Sequence, residues 1–223
     1  MLQLPIKGRA AVLAALLAVI VPAGGLRPGP AVAAEARHGA LTAQDRADIR
    51  RAQDYLNGVT SLKARFLQIS GNGNQAEGTA YLDRPGRLRL QYDPPSPLLV
   101  VADGTFLIVQ DKTVDNPSYI PLGQTPAGVL VRDNVQLDGK DLRVTRVSRQ
   151  PGVLAIGVEQ ADDPGEGELT LVFSDRPLEL RQWRVLDAQG QITTVSLYGI
   201  TTGMKLDPDL FEFKDPRFGR PKL

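Results

Sequence analysis

Cysteine is absent from the 223-residue chain, histidine occurs once, and the aromatic inventory is one Trp, five Tyr and six Phe. Without cysteine there is no disulfide framework, no thiolate nucleophile and no thiolate zinc site. The lone His38 stands beside Gly39, outside any patterned element, so imidazole chemistry has no fixed setting, and Ser96 and Ser118 have no histidine to activate them. Scarce aromatics argue against the stacked platforms of a sugar site. Gly71-x-Gly73 and Gly165-x-Gly167 are too short for phosphate loops and open no helix. Asp162-Asp163 and Glu166-x-Glu168 offer oxygens of the kind calcium takes, but a solvated turn is the simpler account. No carboxylate pair stands out for hydrolysis. The expectation is a protein that is not an enzyme, with no catalytic residue, metal or cofactor.

Long apolar runs are also lacking, with one exception. Ala10–Val21 is unbroken, follows Lys7 and Arg9, and leads to the small residues Ala31-Val-Ala-Ala34. At about 12 residues it falls short of the roughly 20 that span a bilayer. This is the pattern of a signal peptide over 1–34. A flexible leader over 35–41 and a single domain over 42–223 are expected to follow. A retained anchor is the alternative, and no cysteine follows the run for lipid attachment. Excision of 1–34 removes Lys7, Arg9 and Arg27 and no acid, leaving 23 basic against 25 acidic groups. That balance gives no support to nucleic-acid binding, which needs a basic domain or stripe. An exported, cysteine-free chain points to the periplasm.

What the sequence does have is alternation. In Arg87–Tyr92, Leu88, Leu90 and Tyr92 share one face, while Arg87, Arg89 and Gln91 share a solvated, cationic one. Pro85-Gly86 makes the preceding turn from Tyr81–Asp83, and Pro94-Pro95 ends the strand. Arg84 sits at the bend. Further strands are predicted at 63–70, 98–102, 106–110, 113–121, 142–148, 153–160, 168–173, 178–186 and 191–198, with a last short one at 211–213.

Thr42-Ala-Gln-Asp45 reads as a capping box opening a helix over about 44–57, with Ile49, Ala52, Leu56 and Val59 at helical spacing. Its polar face (Arg46, Asp48, Arg50, Arg51, Asp54) reads as ordinary solvated surface. Thr125-Pro126 caps a short helix, and Asp207-Pro208 a single helical turn. The architecture is mostly β with helices: one antiparallel barrel or half-barrel whose helical pieces cover one mouth or face. Leu88, Leu90, Leu98, Leu99, Val100, Val101, Leu107 and Val109 are close in sequence. They make either a filled core or the wall of a cavity.

Several of these residues come in a familiar order. Phe66-x-Gln68, Gly78-x-x-x-Leu82-x-Arg84-Pro85, Arg87–Tyr92 with Asp93-x-Pro95, Asp103-Gly104 and Thr125-Pro126 lead to Leu180-x-x-Trp183-x-x-x-Asp187-x-x-Gly190 and Leu206-x-x-x-Leu210-Phe211-x-Phe213. Over about 44–213 the chain resembles the periplasmic outer-membrane lipoprotein carriers, the LolA family. The resemblance implies an incomplete antiparallel β-barrel enclosing an apolar cavity under a helical lid. Acylated lipoproteins would be taken from an inner-membrane lipoprotein-releasing ABC transporter and passed to an outer-membrane receptor by a monomeric carrier. Phe66, Tyr81, Leu88, Leu90, Tyr92, Leu99 and Val101 are the expected acyl-cavity residues. Arg84 falls where the family's arginine holds the lid closed. Leu88 and Leu90 stand where relatives often carry aromatics. Alternatives are a periplasmic carrier or sensor for another lipid, a hydrolase with an unrecognised carboxylate site, and a structural envelope module with a filled core.

Overall fold

The computed structural model describes residues 40–114, 116–165, 167–215 and 217. The expected signal peptide, most of the leader, His38 and Glu166 lie outside the described residues. Eleven strands form one antiparallel sheet: β1 (Ser61–Ile69), β2 (Gln75–Asp83), β3 (Arg87–Tyr92), β4 (Leu98–Asp103), β5 (Phe106–Asp111), β6 (Ser118–Pro121), β7 (Leu142–Gln150), β8 (Val153–Gln160), β9 (Gly167–Asp175), β10 (Leu178–Asp187) and β11 (Ile192–Thr202). Their order is β6-β5-β4-β3-β2-β1-β11-β10-β9-β8-β7. Two meanders are therefore joined at β1–β11, and the edge strands β6 and β7 do not pair. The sheet is open.

Helix α1 (Ala43–Gly58) begins with the expected capping box: the Thr42 hydroxyl accepts from the Asp45 amide, and the Asp45 carboxylate accepts from the Thr42 amide. This satisfies amides that the first turn otherwise leaves without acceptors. Ile49, Ala52 and Leu56 are buried on one face, and the helix packs nearest to β10. Helix α2 (Pro126–Val131) lies in the connection between the two edge strands, after a 3-10 turn at Leu122–Gln124. Thr125 caps it, accepting from the Gly128 amide at 3.1 Å. Val129, Leu130 and Val131 are all buried.

Two bulges decide which side chains face inward. A bulge makes two residues oppose one, so the alternation changes parity at that point. In β10 the shift between Leu180 and Gln182 lets Leu180 and Trp183, three apart, both enter the core. In β7 the shift between Val144 and Arg146 turns Val147 and Arg149 to the inner side, opposite Ile156 and Leu154.

Three expectations need correction. Phe211–Phe213 is not a strand: Pro208–Phe211 is a 3-10 turn, and Phe211 is buried. Strand β6 is only Ser118–Pro121. Asp48 is not a solvated surface residue but is 3% exposed.

Candidate functional site

The inner face of the sheet and α2 meet at a small apolar space. Leu62, Ala80, Leu82, Leu88, Leu130, Leu180, Trp183 and Leu197 enclose about 20 Å³. That is about the room one water needs, far below the volume of a fatty chain. Leu130 from α2 and the Trp183 indole close over the leucines of β2 and β3. Among the described residues, this space is not the roomy cavity implied by the resemblance.

The expected cavity residues divide by sheet face. Phe66, Leu88, Leu90 and Tyr92 are buried on the inner side. Phe66 lies opposite Gly78, where a Cβ would stand 2.7 Å from the ring, so glycine lets the ring lie flat on β2. The Phe66 and Tyr92 rings meet edge to face at 5.1 Å, and the Tyr92 hydroxyl donates to Gln68 Oε1 at 2.7 Å. Burial pushes the Tyr92 hydroxyl pKa up, against the opposing effect of the Gln68 hydrogen bond.

Tyr81, Leu99 and Val101 face the other way. The register Tyr81–Arg89–Val101 and Gln91–Leu99 puts all three on the outer side, because cross-strand partners share a face. Tyr81 lies under the Lys63 ammonium, 5.7 Å from the ring centroid.

The same register corrects the picture of a solvated cationic face on the hairpin. The 3-10 turn at Pro208–Phe211 lies against the outer side of β3 and β4. Arg89 donates to the Leu210 carbonyl at 2.9 Å, and the Arg87 guanidinium stacks 5.6 Å from the Phe211 ring centroid. Val101 is fully buried on this outer side.

One turn, Arg84-Pro-Gly86, touches both helices. The Arg84 amide extends the β1–β2 ladder to the Thr60 carbonyl at 2.8 Å. Its side chain reaches the C-terminal end of α1, where Nη1 donates to the Leu56 carbonyl. The Gly86 amide donates to the Val131 carbonyl at the end of α2, at 2.8 Å. Gly86 has φ +81° and its Cβ would stand 2.8 Å from Gly104 Cα, so this approach requires glycine. Terminal helix carbonyls have no partner within their own helix, so these donors satisfy groups that need one.

The Arg84 Nε is buried without a partner. Burial pulls the guanidinium pKa down to about 10, with only the Tyr55 hydroxyl favouring the charge. The loop after α2 is stitched to α1 as well: Asn57 Oδ1 accepts from the Val135 amide at 2.8 Å, and Gln53 Oε1 from the Leu137 amide at 2.9 Å.

The N-terminal half of α1 is held by charge. The buried Asp48 accepts from Arg149 Nε at 2.7 Å, Arg51 Nη1 at 3.0 Å and Gln44 Nε2 at 3.1 Å. Asp45 accepts from Arg149 Nη2 at 2.7 Å, and Arg51 also pairs with Asp175 at 3.1 Å. Burial pushes the Asp48 pKa up, but the hydrogen bonds from Gln44, Arg149 and Arg51 outweigh it and hold it below the usual carboxylate value. None of Asp48, Arg149 or Gly86 was singled out from the sequence. Among the described residues, no group of three or more His, Cys, Asp or Glu is placed to hold a metal ion.

The structure is thus an open antiparallel sheet with few helices, of which α2 contributes Leu130 to the apolar space. The family described as outer membrane lipoprotein carrier protein LolA matches residues 57–214, and the chain belongs to that family. An outer-membrane lipoprotein carrier protein from Alkalilimnicola ehrlichii is 31% identical over 183 residues, covering 78% of this chain and 81% of the relative. The carrier protein of the same name from Dechloromonas aromatica is 30% identical over 178 residues, covering 75% and 84%. Among solved structures, a LolA superfamily protein from Nitrosomonas europaea matches with a TM-score of 0.42 and 8% identity, over 74% of this chain and 97% of that one.

Proposed function

We propose that the protein is a periplasmic carrier that shelters the acyl chains of lipoproteins on the inner face of the sheet and moves them from the inner to the outer membrane. The observation that carries this reading is the Arg84–Gly86 turn. It donates hydrogen bonds to single carbonyls at the C-terminal ends of both helices, and Leu82 and Leu130, close to it in β2 and α2, line the apolar space.

Leaving an acyl chain in water costs about 0.8 kcal/mol per methylene, so a dozen methylenes cost about 10 kcal/mol. A neutral hydrogen bond contributes about 1 kcal/mol net. Cargo burial therefore outweighs the two bonds of the turn by a wide margin, and the helices swing away from the sheet when an acyl chain enters. Mostly aliphatic walls suit the task, since burial of apolar surface is non-directional and accepts chains of different shape. Arg84 acts as the latch, and Leu88 and Leu90 as the floor of the opened cavity.

A triacylated lipopeptide tests the reading. The wild-type protein is expected to retain it in a pull-down, and Leu88→Glu, with its fold checked by circular dichroism, to lose it. No retention by the wild type would remove the acyl-carrier reading in favour of a module with a filled core.

A further inference from the structure

We propose that Arg84 is also an anion subsite, and that the protein binds long-chain fatty-acid carboxylates with the chain among the leucines and the carboxylate on the guanidinium. The proposal rests on the reading of the interior as one that opens to acyl chains, and goes beyond it. Acyl chains in ester or amide linkage bring no carboxylate.

The argument starts from what Arg84 lacks. Arg51, Arg65, Arg87, Arg143, Arg146 and Arg149 each pair with a carboxylate. Among the described residues no carboxylate pairs with Arg84. Its side chain makes a single hydrogen bond, to the neutral Leu56 carbonyl, and its Nε is buried with no acceptor. A half-buried cation with no counter-ion is a costly arrangement, stabilised by an anion that reaches it. The site is also placed for a chain. Leu82, two residues before Arg84 and near the end of β2, lines the apolar space, as does Leu130 of the helix that Gly86 holds.

The chemistry selects the ligand. A guanidinium offers five N–H donors in a planar fork that matches a carboxylate with two parallel hydrogen bonds. An apolar tail is required as well, because everything around the space itself is aliphatic or indole. A carboxylate engaging Nη1 competes with the Leu56 carbonyl for the same donor. Ligand entry and release of α1 thus draw on one group.

Displacement of a fluorescent apolar probe by dodecanoate and by dodecan-1-ol tests this on the purified protein. The assay is run at about pH 8, where the acid is ionised and arginine protonated. The alcohol is the more apolar molecule, so partition alone favours it. The expected result is dodecanoate binding at least about tenfold tighter than the alcohol in the wild type, with that acid-over-alcohol preference reduced to below about twofold in Arg84→Leu. Should Arg84→Leu fail to fold, Arg84→Gln removes the charge while keeping a donor, and the same loss of preference is expected. Equal binding of acid and alcohol by the wild type, or a preference that survives both substitutions, overturns the anion subsite and leaves the acyl-carrier reading standing. Binding of neither overturns both.

Discussion

The N-terminal half of α1 and its C-terminal end are held against the sheet by different chemistry. At the first, Arg149 and Arg51 tie Asp45, Asp48 and Asp175 together through several charge-assisted bonds, and Asp48 is buried among them. At the second, the Arg84 guanidinium holds the Leu56 carbonyl, while Gly86 of the same turn holds the Val131 carbonyl of α2. The cluster's bonds join opposite charges and are more numerous, whereas the Arg84 bond has one charged partner and the Gly86 bond has none. On the function proposed above, the charged cluster is the fixed end, and the Arg84–Gly86 turn is the end that gives way.

Breaking the fixed end has the largest expected effect. Asp48→Ala removes the buried carboxylate and leaves Arg149 with Asp45 alone and Arg51 with Asp175 alone. Removing one partner of a fully buried pair costs about 3–5 kcal/mol. Since Arg149 is 40% exposed, water compensates part of this, and about 2 kcal/mol is expected. Urea unfolding measures it; a loss below about 0.5 kcal/mol would show that the cluster does not anchor the helix.

Acid should loosen the same end. Hydrogen bonds from the Thr42 hydroxyl and amide, then from Arg149, hold the Asp45 pKa at about 2 against 3.8 for the free group. A carboxylate depressed in the folded state contributes stability above its unfolded pKa and loses it as pH falls through the folded one. Stability is therefore expected to fall between about pH 4 and pH 2. The slope should be shallower in Arg149→Gln, read from thermal melts across that range; equal slopes would detach Arg149 from the effect.

Arg84→Leu comes next. It removes one hydrogen bond and one desolvated charge, which offset each other, so stability should change by no more than about 1 kcal/mol. The expected consequence is local, with faster proteolysis near residues 53–59 and impaired handover of a radiolabelled lipoprotein. Unaltered handover would remove Arg84 from the cycle. Smallest is Arg51→Gln, since Arg51 is 45% exposed and Asp48 keeps Arg149; below about 0.5 kcal/mol is expected, and a larger loss would place Arg51 at the centre of the anchor.

Much of the sheet was legible because polar and apolar residues alternate in β1, β3 and β10, and because Thr42 and Thr125-Pro126 carry capping chemistry that needs no tertiary partner. The continuous apolar run Leu98–Ala102 was different. Both faces of β4 are covered, so its alternation carries no sign, and Leu99 and Val101 could be placed only by register with Gln91 and Arg89. Tyr81 was misplaced despite a readable signal, since Ala80 and Leu82 beside it already occupy the inner face.

Arg149 and Asp48 stayed hidden for a stronger reason. They are 101 residues apart, and a bulge in β7 reverses the parity that would otherwise leave Arg149 outside. The contact of Gly86 is made by a backbone amide, which no side-chain pattern announces. The apolar interior was anticipated in its residues Leu88 and Leu90 but not in its volume, because sequence does not reveal how far Leu130 and Trp183 close it.

Hydrogen exchange at the Gly86 amide tests the central claim most directly, since that proton sits in the bond between the turn and α2. On loading with a triacylated lipopeptide, exchange at Gly86 and in the 126–131 helix is expected to accelerate while residues 45–51 keep their protection. Binding that leaves Gly86 protected, or that releases both ends of α1 together, would contradict the account.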